Sequence, residues 1–162
     1  MINNTILNLL LIGIMITIYS LGIPIPNYNI EWLNYILRSF FHADIQHLTA
    51  NIIGFGQFSN SINLLPASTY ITMLIWLIIA SSLIHYLINT YLLSDTNSIS
   101  IGFSGVLFGL LVIIQRSIQN NDTKTIIYTA ILHVLPHLFL PNISFWGHVS
   151  GIIAGLLYFY YI

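Results

Sequence analysis

The sequence predicts an all-α integral membrane protein: a bundle of six spanning helices, with a long loop after the first that lies partly in the interface. Three observations predict it. Of the 162 residues, 57% are hydrophobic and only 4% are charged, three Lys/Arg against four Asp/Glu. A soluble domain carries about 25% charged residues, so this chain could not cover a water-facing surface. Apolar stretches recur along the whole chain, and about 20 apolar residues cross a hydrocarbon core. In three of these stretches polar residues stand at the start: His47 and Asn51, Ser104, and His148.

The first expected span is Thr5 to Gly22. It has no basic residue ahead of it, and "GIPIPN" is a poor cleavage site, so it reads as a retained span rather than a signal peptide. From Ile23 to Gln46 the chain mixes Glu31, Arg38 and Asp44 with Trp32, Phe40 and Phe41, as an interfacial loop would. The second span runs from His47 to about Asn60, the third from Ala67 to Leu92 and the fourth from Ser104 to Ser117. The fifth runs from Thr125 to Leu140 and the sixth from Phe145 to Ile162. Residues 1–162 thus read as one membrane domain. Spans two and four are short and interrupted by glycine, a pointer to a site in the membrane interior. Arg116 and Lys124 flank the loop between spans four and five. The positive-inside rule puts that loop, and both termini, in the cytoplasm.

Charge and cysteine usage exclude several classes. A net charge of −1 with no basic patch predicts no nucleic-acid partner. With no cysteine there is no disulfide, thiolate metal site or cysteine nucleophile. His133 and His137 are spaced i, i+4 in span five, but neither an acidic partner nor an HExxH pattern accompanies them. Pro136 is expected to kink that helix. The sequence predicts neither metal nor cofactor.

The intramembrane polar residues share a depth. His47 and Asn51 begin span two, Ser104 begins span four and His148 begins span six. All three spans start from the outer side. Ser104 precedes Arg116 by about 18 Å of helix, which leaves it about 12 Å below the outer boundary of a core about 30 Å thick. The same estimate puts His148 about 9 Å deep, and Asn51 again has about 18 Å of helix below it. Polar groups inside a membrane are costly and functional by default, so one shared depth favours one buried site. Helix faces agree. His47 and Asn51 are i, i+4; His148, Gly151 and Gly155 fall on one stripe; Gly105 and Gly109 form a small-xxx-small pair. If the glycine stripes face each other, His148 comes within reach of Ser104.

That pairing has a chemical meaning. A serine hydroxyl attacks well only when a base takes its proton, and a neutral imidazole can do so and later protonate a leaving amine. The acids are Glu31, Asp44, Asp95 and Asp122, none of them in span six, so a Ser–His dyad is expected rather than a triad. His42, Asn51 and the Ser104 backbone N–H are candidate oxyanion donors.

These residues resemble the rhomboid intramembrane serine proteases. The match is an ordered set: "HADIQHLTAN" with His42, His47 and Asn51; "GFSG" from Gly102 to Gly105; and "HVSGIIAG" with His148, Gly151 and Gly155. It covers essentially the whole chain as a minimal six-helix core. The resemblance implies Ser104 as nucleophile, His148 as general base, and His42 and Asn51 as oxyanion side chains. It implies His47 as a structural or water-binding neighbour, span five as a mobile gate, and the first loop as a half-embedded hairpin. One departure bears on that hairpin's anchoring. The family carries a Trp-Arg pair there, its Arg eight residues before the first motif histidine. Here Leu33 and Asn34 stand in those positions, with Trp32 and Arg38 out of register.

Plainer readings stand beside these. Ser104 could serve small-residue packing, and His148 or Asn51 a helix–helix hydrogen bond. His42 could be a water-facing loop histidine, and His85 a buried partner of a neighbour. Gly54 and Gly56 could be packing residues or a local helix irregularity. The resemblance implies an intramembrane serine endopeptidase acting on transmembrane protein substrates in the lipid bilayer. Its rival is a non-catalytic rhomboid-like protein that binds membrane clients; such relatives usually lack the serine or the histidine. A transporter has less support, with no paired intramembrane charge and no inverted repeat. The expected setting is multi-pass in a bacterial inner membrane, termini cytoplasmic, with the site opening to the outer side.

Overall fold

A computed structural model of the chain describes residues 4–94, 100–139 and 143–161. It holds seven α-helices, and no strand occurs among the described residues. They are α1 (Asn4–Ser20), α2 (Glu31–Arg38), α3 (Ile45–Ser61), α4 (Ala67–Leu87), α5 (Ser104–Ser117), α6 (Thr123–Val134) and α7 (Phe145–Tyr161). α4 runs on as a π-helical segment over Ile88–Leu93, and α6 as a 3-10 turn over Leu135–Phe139. The mixed loop after α1 is therefore not irregular throughout, since α2 forms inside it. The ends of the fifth and sixth expected spans, Leu140 and Ile162, lie outside the described residues, as does Asp95.

Among the described residues one helix, Ala67–Leu93, is by length and composition long and apolar enough to cross a membrane. Asn4–Ser20, Ser104–Ser117 and Phe145–Phe159 are apolar but shorter. α5 spans about 21 Å at 1.5 Å per residue, well short of a 30 Å core. Large apolar side chains nonetheless face outward: Leu9 and Leu10 on α1, Ile75 and Ile79 on α4, Tyr128 and Ile131 on α6.

Capping sets several helix starts. Asp44 accepts the His47 N–H at 2.7 Å at the head of α3, and Asp122 accepts the Thr125 N–H at 2.7 Å at the head of α6. Ser144 Oγ accepts the Gly147 N–H at the head of α7. Each satisfies an amide that a first helical turn leaves unpaired. The change of pitch at the end of α6 falls at Pro136, which has no N–H to continue the α-helical ladder.

α7 packs between α4 and α5. Trp76 on α4 donates to the Ala154 carbonyl at 3.0 Å. Against α5 the fit depends on glycine. A Cβ on Gly151 would overlap the Gly105 carbonyl, and one on Gly155 would lie 2.7 Å from the Gly109 oxygen. Phe55, Phe103, Leu77 and Leu110 fill the interior, with Met15 of α1 and Tyr70 of α4. Tyr70 donates to Asn8, and Asn4 donates to the Asn63 and Leu65 carbonyls, tying the start of α1 to the far end of α3. In α3, Gly54 meets Leu107, whereas Gly56 faces open space.

The first loop is anchored without the Trp-Arg pair. The buried Asn34 side chain accepts the Tyr28 N–H and donates to the Tyr28 carbonyl, both at 2.8 Å. Arg38, also buried, donates through Nε to the Pro26 carbonyl at 2.9 Å. An amide clamp and an out-of-register guanidinium thus hold the turn that precedes α2.

Candidate active site

The starts of α3, α5 and α7 meet the ends of α2, α4 and α6 at one end of the bundle. Ser104 is the first residue of α5. Gly102, two residues earlier, has φ +116°, a conformation side chains disfavour, and a Cβ there would lie 2.6 Å from the His47 ring. The Gly102 N–H donates to the Arg38 carbonyl at 3.1 Å, so the loop entering α5 is fastened to α2. Phe103 is fully buried against Phe40 and Phe55. The chain thereby reaches Ser104 in irregular conformation over 100–103, walled by other elements, as unpaired backbone in an apolar surrounding must be. Ser98 and Ile99 lie outside the described residues.

His148, in the first turns of α7, brings Nε2 to 2.9 Å from Ser104 Oγ. Its ring stacks on Phe108, centroids 4.4 Å apart and planes 25° apart. Phe108 is one helical turn beyond Ser104. The other ring nitrogen of His148, Nδ1, lies 2.8 Å from Nδ1 of His137. The position a triad would give to a carboxylate is therefore occupied by an imidazole from the 3-10 turn after α6. His133, four residues earlier, instead places Nδ1 2.7 Å from the Thr129 carbonyl of its own helix. The two histidines paired by spacing face different partners.

Asn51 is buried on α3, donating to the His47 carbonyl at 2.9 Å while its Oδ1 has no partner. His42 is buried against the edge of His47, ring centroids 5.0 Å apart, and neither of its ring nitrogens makes a regular hydrogen bond. A cavity of about 1010 Å³ is lined by His47, Asn51, Ser104, Phe108, His137 and His148. Behind Ser104 a second recess, about 30 Å³, is lined by hydroxyls: Ser39, Ser81, Ser82, Ser100 and Ser144. Ser39 and Ser82 are 3.0 Å apart, and Ser144 Oγ lies 3.4 Å from His85 Nε2.

Ser104, His148, His47, Asn51 and Gly102 thus gather at one place, with His42 behind His47. Gly105, Gly109, Gly151 and Gly155 form the contact that holds α5 and α7 together. Sequence reasoning missed Phe108 and the role of His137. Phe108 carried a signal, its i, i+4 spacing from Ser104. His137 carried none beyond its spacing from His133, which pointed elsewhere.

Comparisons with known proteins identify the family. A family profile for the rhomboid domain matches residues 29–162. A rhomboid-named protein of Acanthamoeba polyphaga mimivirus is 33% identical over 145 residues, 90% of this chain and 84% of that one. A mitochondrial rhomboid-like protein of Arabidopsis thaliana is 28% identical over 75% of this chain and 41% of its own length. Rhomboid-related protein 4 of Homo sapiens is 26% identical over 79% and 45%. The chain therefore spans less than half of the plant and human relatives. These relatives are viral and eukaryotic, which lends no support to a bacterial setting. A profile over most of the chain and a viral relative matched nearly end to end establish that this is a membrane protein of the rhomboid family.

Proposed function

We propose that the chain is an intramembrane serine endopeptidase that hydrolyses peptide bonds in or near transmembrane segments of membrane proteins. The observation that carries this reading is the 2.9 Å approach of His148 Nε2 to Ser104 Oγ, on two helices locked by glycine contacts beside an open cavity of mixed polar and apolar lining. His148 takes the Ser104 proton as Oγ attacks the scissile carbonyl. Asn51 Nδ2 and the first-turn amide of Ser104 are the donors for the oxyanion, while His42, its ring nitrogens buried behind His47, supports that histidine. His148 then protonates the leaving amine, and water hydrolyses the acyl-enzyme. The hydroxyl-lined recess behind Ser104 has room for water and hydrogen-bonding partners to hold it.

In this reading α1, α3, α4, α5, α6 and α7 are the six spans, and α2 lies in the interface. Outward-facing Leu, Ile and Tyr side chains meet lipid. The loop flanked by Arg116 and Lys124 is cytoplasmic, and the site opens to the opposite side. The partners are transmembrane substrates, which pass beside α6.

A fluorophosphonate probe tests the reading. Purified protein in detergent is expected to label, and Ser104→Ala is expected neither to label nor to cleave a transmembrane substrate while melting at nearly the same temperature. A wild-type protein that neither labels nor cleaves would move the chain to the client-binding class.

A further inference from the structure

The base has a partner that the dyad chemistry does not call for. His137 belongs to the segment Leu135–Phe139, where the helix tightens from 3.6 to 3.0 residues per turn. Each residue then turns by about 20° more, which swings His137 roughly 60° from the direction an unbroken α6 would give it. That rotation separates it from His133 and aims it at α7. Its Nδ1 lies 2.8 Å from Nδ1 of His148, and both rings touch Phe108: His148 stacked on its face, His137 edge-on with centroids 5.8 Å apart.

Proton accounting decides what the contact does. For His148 Nε2 to accept the Ser104 proton, that nitrogen must carry a lone pair, so the neutral ring holds its proton on Nδ1. The Nδ1–H then needs an acceptor. An imidazole nitrogen accepts only when unprotonated, so His137 carries its own proton on Nε2, and its Nδ1 lone pair receives the His148 N–H. With the roles reversed, His137 would donate to His148 Nδ1. That would force the His148 proton onto Nε2, where it blocks the reaction. We propose that His137 is a positioning residue, which fixes the reactive tautomer and the ring orientation of His148 by accepting its Nδ1–H. This rests on the reading of Ser104 and His148 as the dyad. It assigns His137 the orienting work that a carboxylate performs in a triad, without the carboxylate's charge.

The test compares two nearly isosteric replacements. His137→Asn keeps an acceptor oxygen at about the position of the ring Nδ1; His137→Leu fills the same space with none. Cleavage of a transmembrane substrate is measured in proteoliposomes, and fluorophosphonate labelling rate and melting temperature in detergent. Expected is a loss of kcat of at least about ten-fold in His137→Leu, with KM within about two-fold and labelling slowed in parallel. His137→Asn is expected to stay within about three-fold of wild type. Equal activity in the Leu variant and wild type would overturn the assignment. So would an Asn variant as damaged as the Leu variant, since bulk or the aromatic contact would then be what matters. If both variants melt lower, the ratio between them, on monodisperse protein, still reads the acceptor alone. A wild type without Ser104-dependent labelling is a different result, which removes the enzyme reading itself.

Discussion

At the scale of single residues, the proposed dyad chemistry makes three substitutions behave differently. His148→Ala should lose both cleavage and probe labelling, because an unassisted hydroxyl barely attacks. Labelling at near wild-type rate in that variant would remove His148 from the base role. Asn51 is needed when charge develops on the carbonyl oxygen. Asn51→Ala should therefore lower kcat by on the order of 10²-fold and change KM little. An effect confined to KM would reassign Asn51 to substrate binding. Asp44 is the nearest acid in sequence to the site, but its carboxylate is engaged by the His47 N–H at the head of α3. Asparagine caps a helix about as well as aspartate. Asp44→Asn should thus keep most activity, and a loss matching His148→Ala in a folded variant would indicate that a carboxylate takes part.

At the scale of elements, the α5–α7 contact sets the distance between Ser104 and His148. Replacing glycine by alanine in a helix gains about 1 kcal/mol of helix propensity. At Gly151 the new methyl would collide with the Gly105 backbone carbonyl, which has no rotamer to move aside. Overpacking of that kind costs about 1–3 kcal/mol, so the clash outweighs the propensity. Gly151→Ala should lower the melting temperature and slow labelling together, as α7 shifts away from Ser104. Gly56→Ala faces open space and should leave the melting temperature unchanged or raise it; a drop as large as that of Gly151→Ala would mean that backbone freedom, not close approach, explains both. These stripes were legible in the sequence because α5 and α7 are regular helices, in which i, i+3 and i+4 spacing fixes a face. The start of α5 at Ser104 was legible for a similar local reason. Two features were not. The direction of His137 depends on a pitch change after α6 and on where α7 lies, neither of which is local. The Asn34 clamp closes on backbone atoms of Tyr28, and backbone partners leave no mark in residue type.

At the scale of the whole molecule, the proposed function requires a substrate helix to reach Ser104 past a wall, and α6 is a lightly buried helix beside the site. Tyr128, Ile131, Leu132, Leu135, Leu138 and Phe139 all face outward, and only Ile126, Ala130 and Val134 are buried along α6. α4, by contrast, buries seven residues and is pinned to α7 through Trp76. Ala50 on α3 and Leu138 beyond α6 line the same cavity as Ser104. If α6 moves outward to admit substrate, tethering it to α3 should close the route without touching the dyad. The chain has no cysteine, so Ala50→Cys with Leu138→Cys introduces the only thiols. Bridging them with a reducible bifunctional reagent should stop cleavage of a transmembrane substrate. It should spare labelling by a small fluorophosphonate, which enters through the open cavity, and reduction should restore cleavage. Because His137 rides on the tethered segment, labelling also reports whether the tether disturbs the base. Loss of both readouts would mean distortion of the site, while cleavage undiminished in fully bridged protein would place substrate entry elsewhere and leave Ser104 and His148 as they stand.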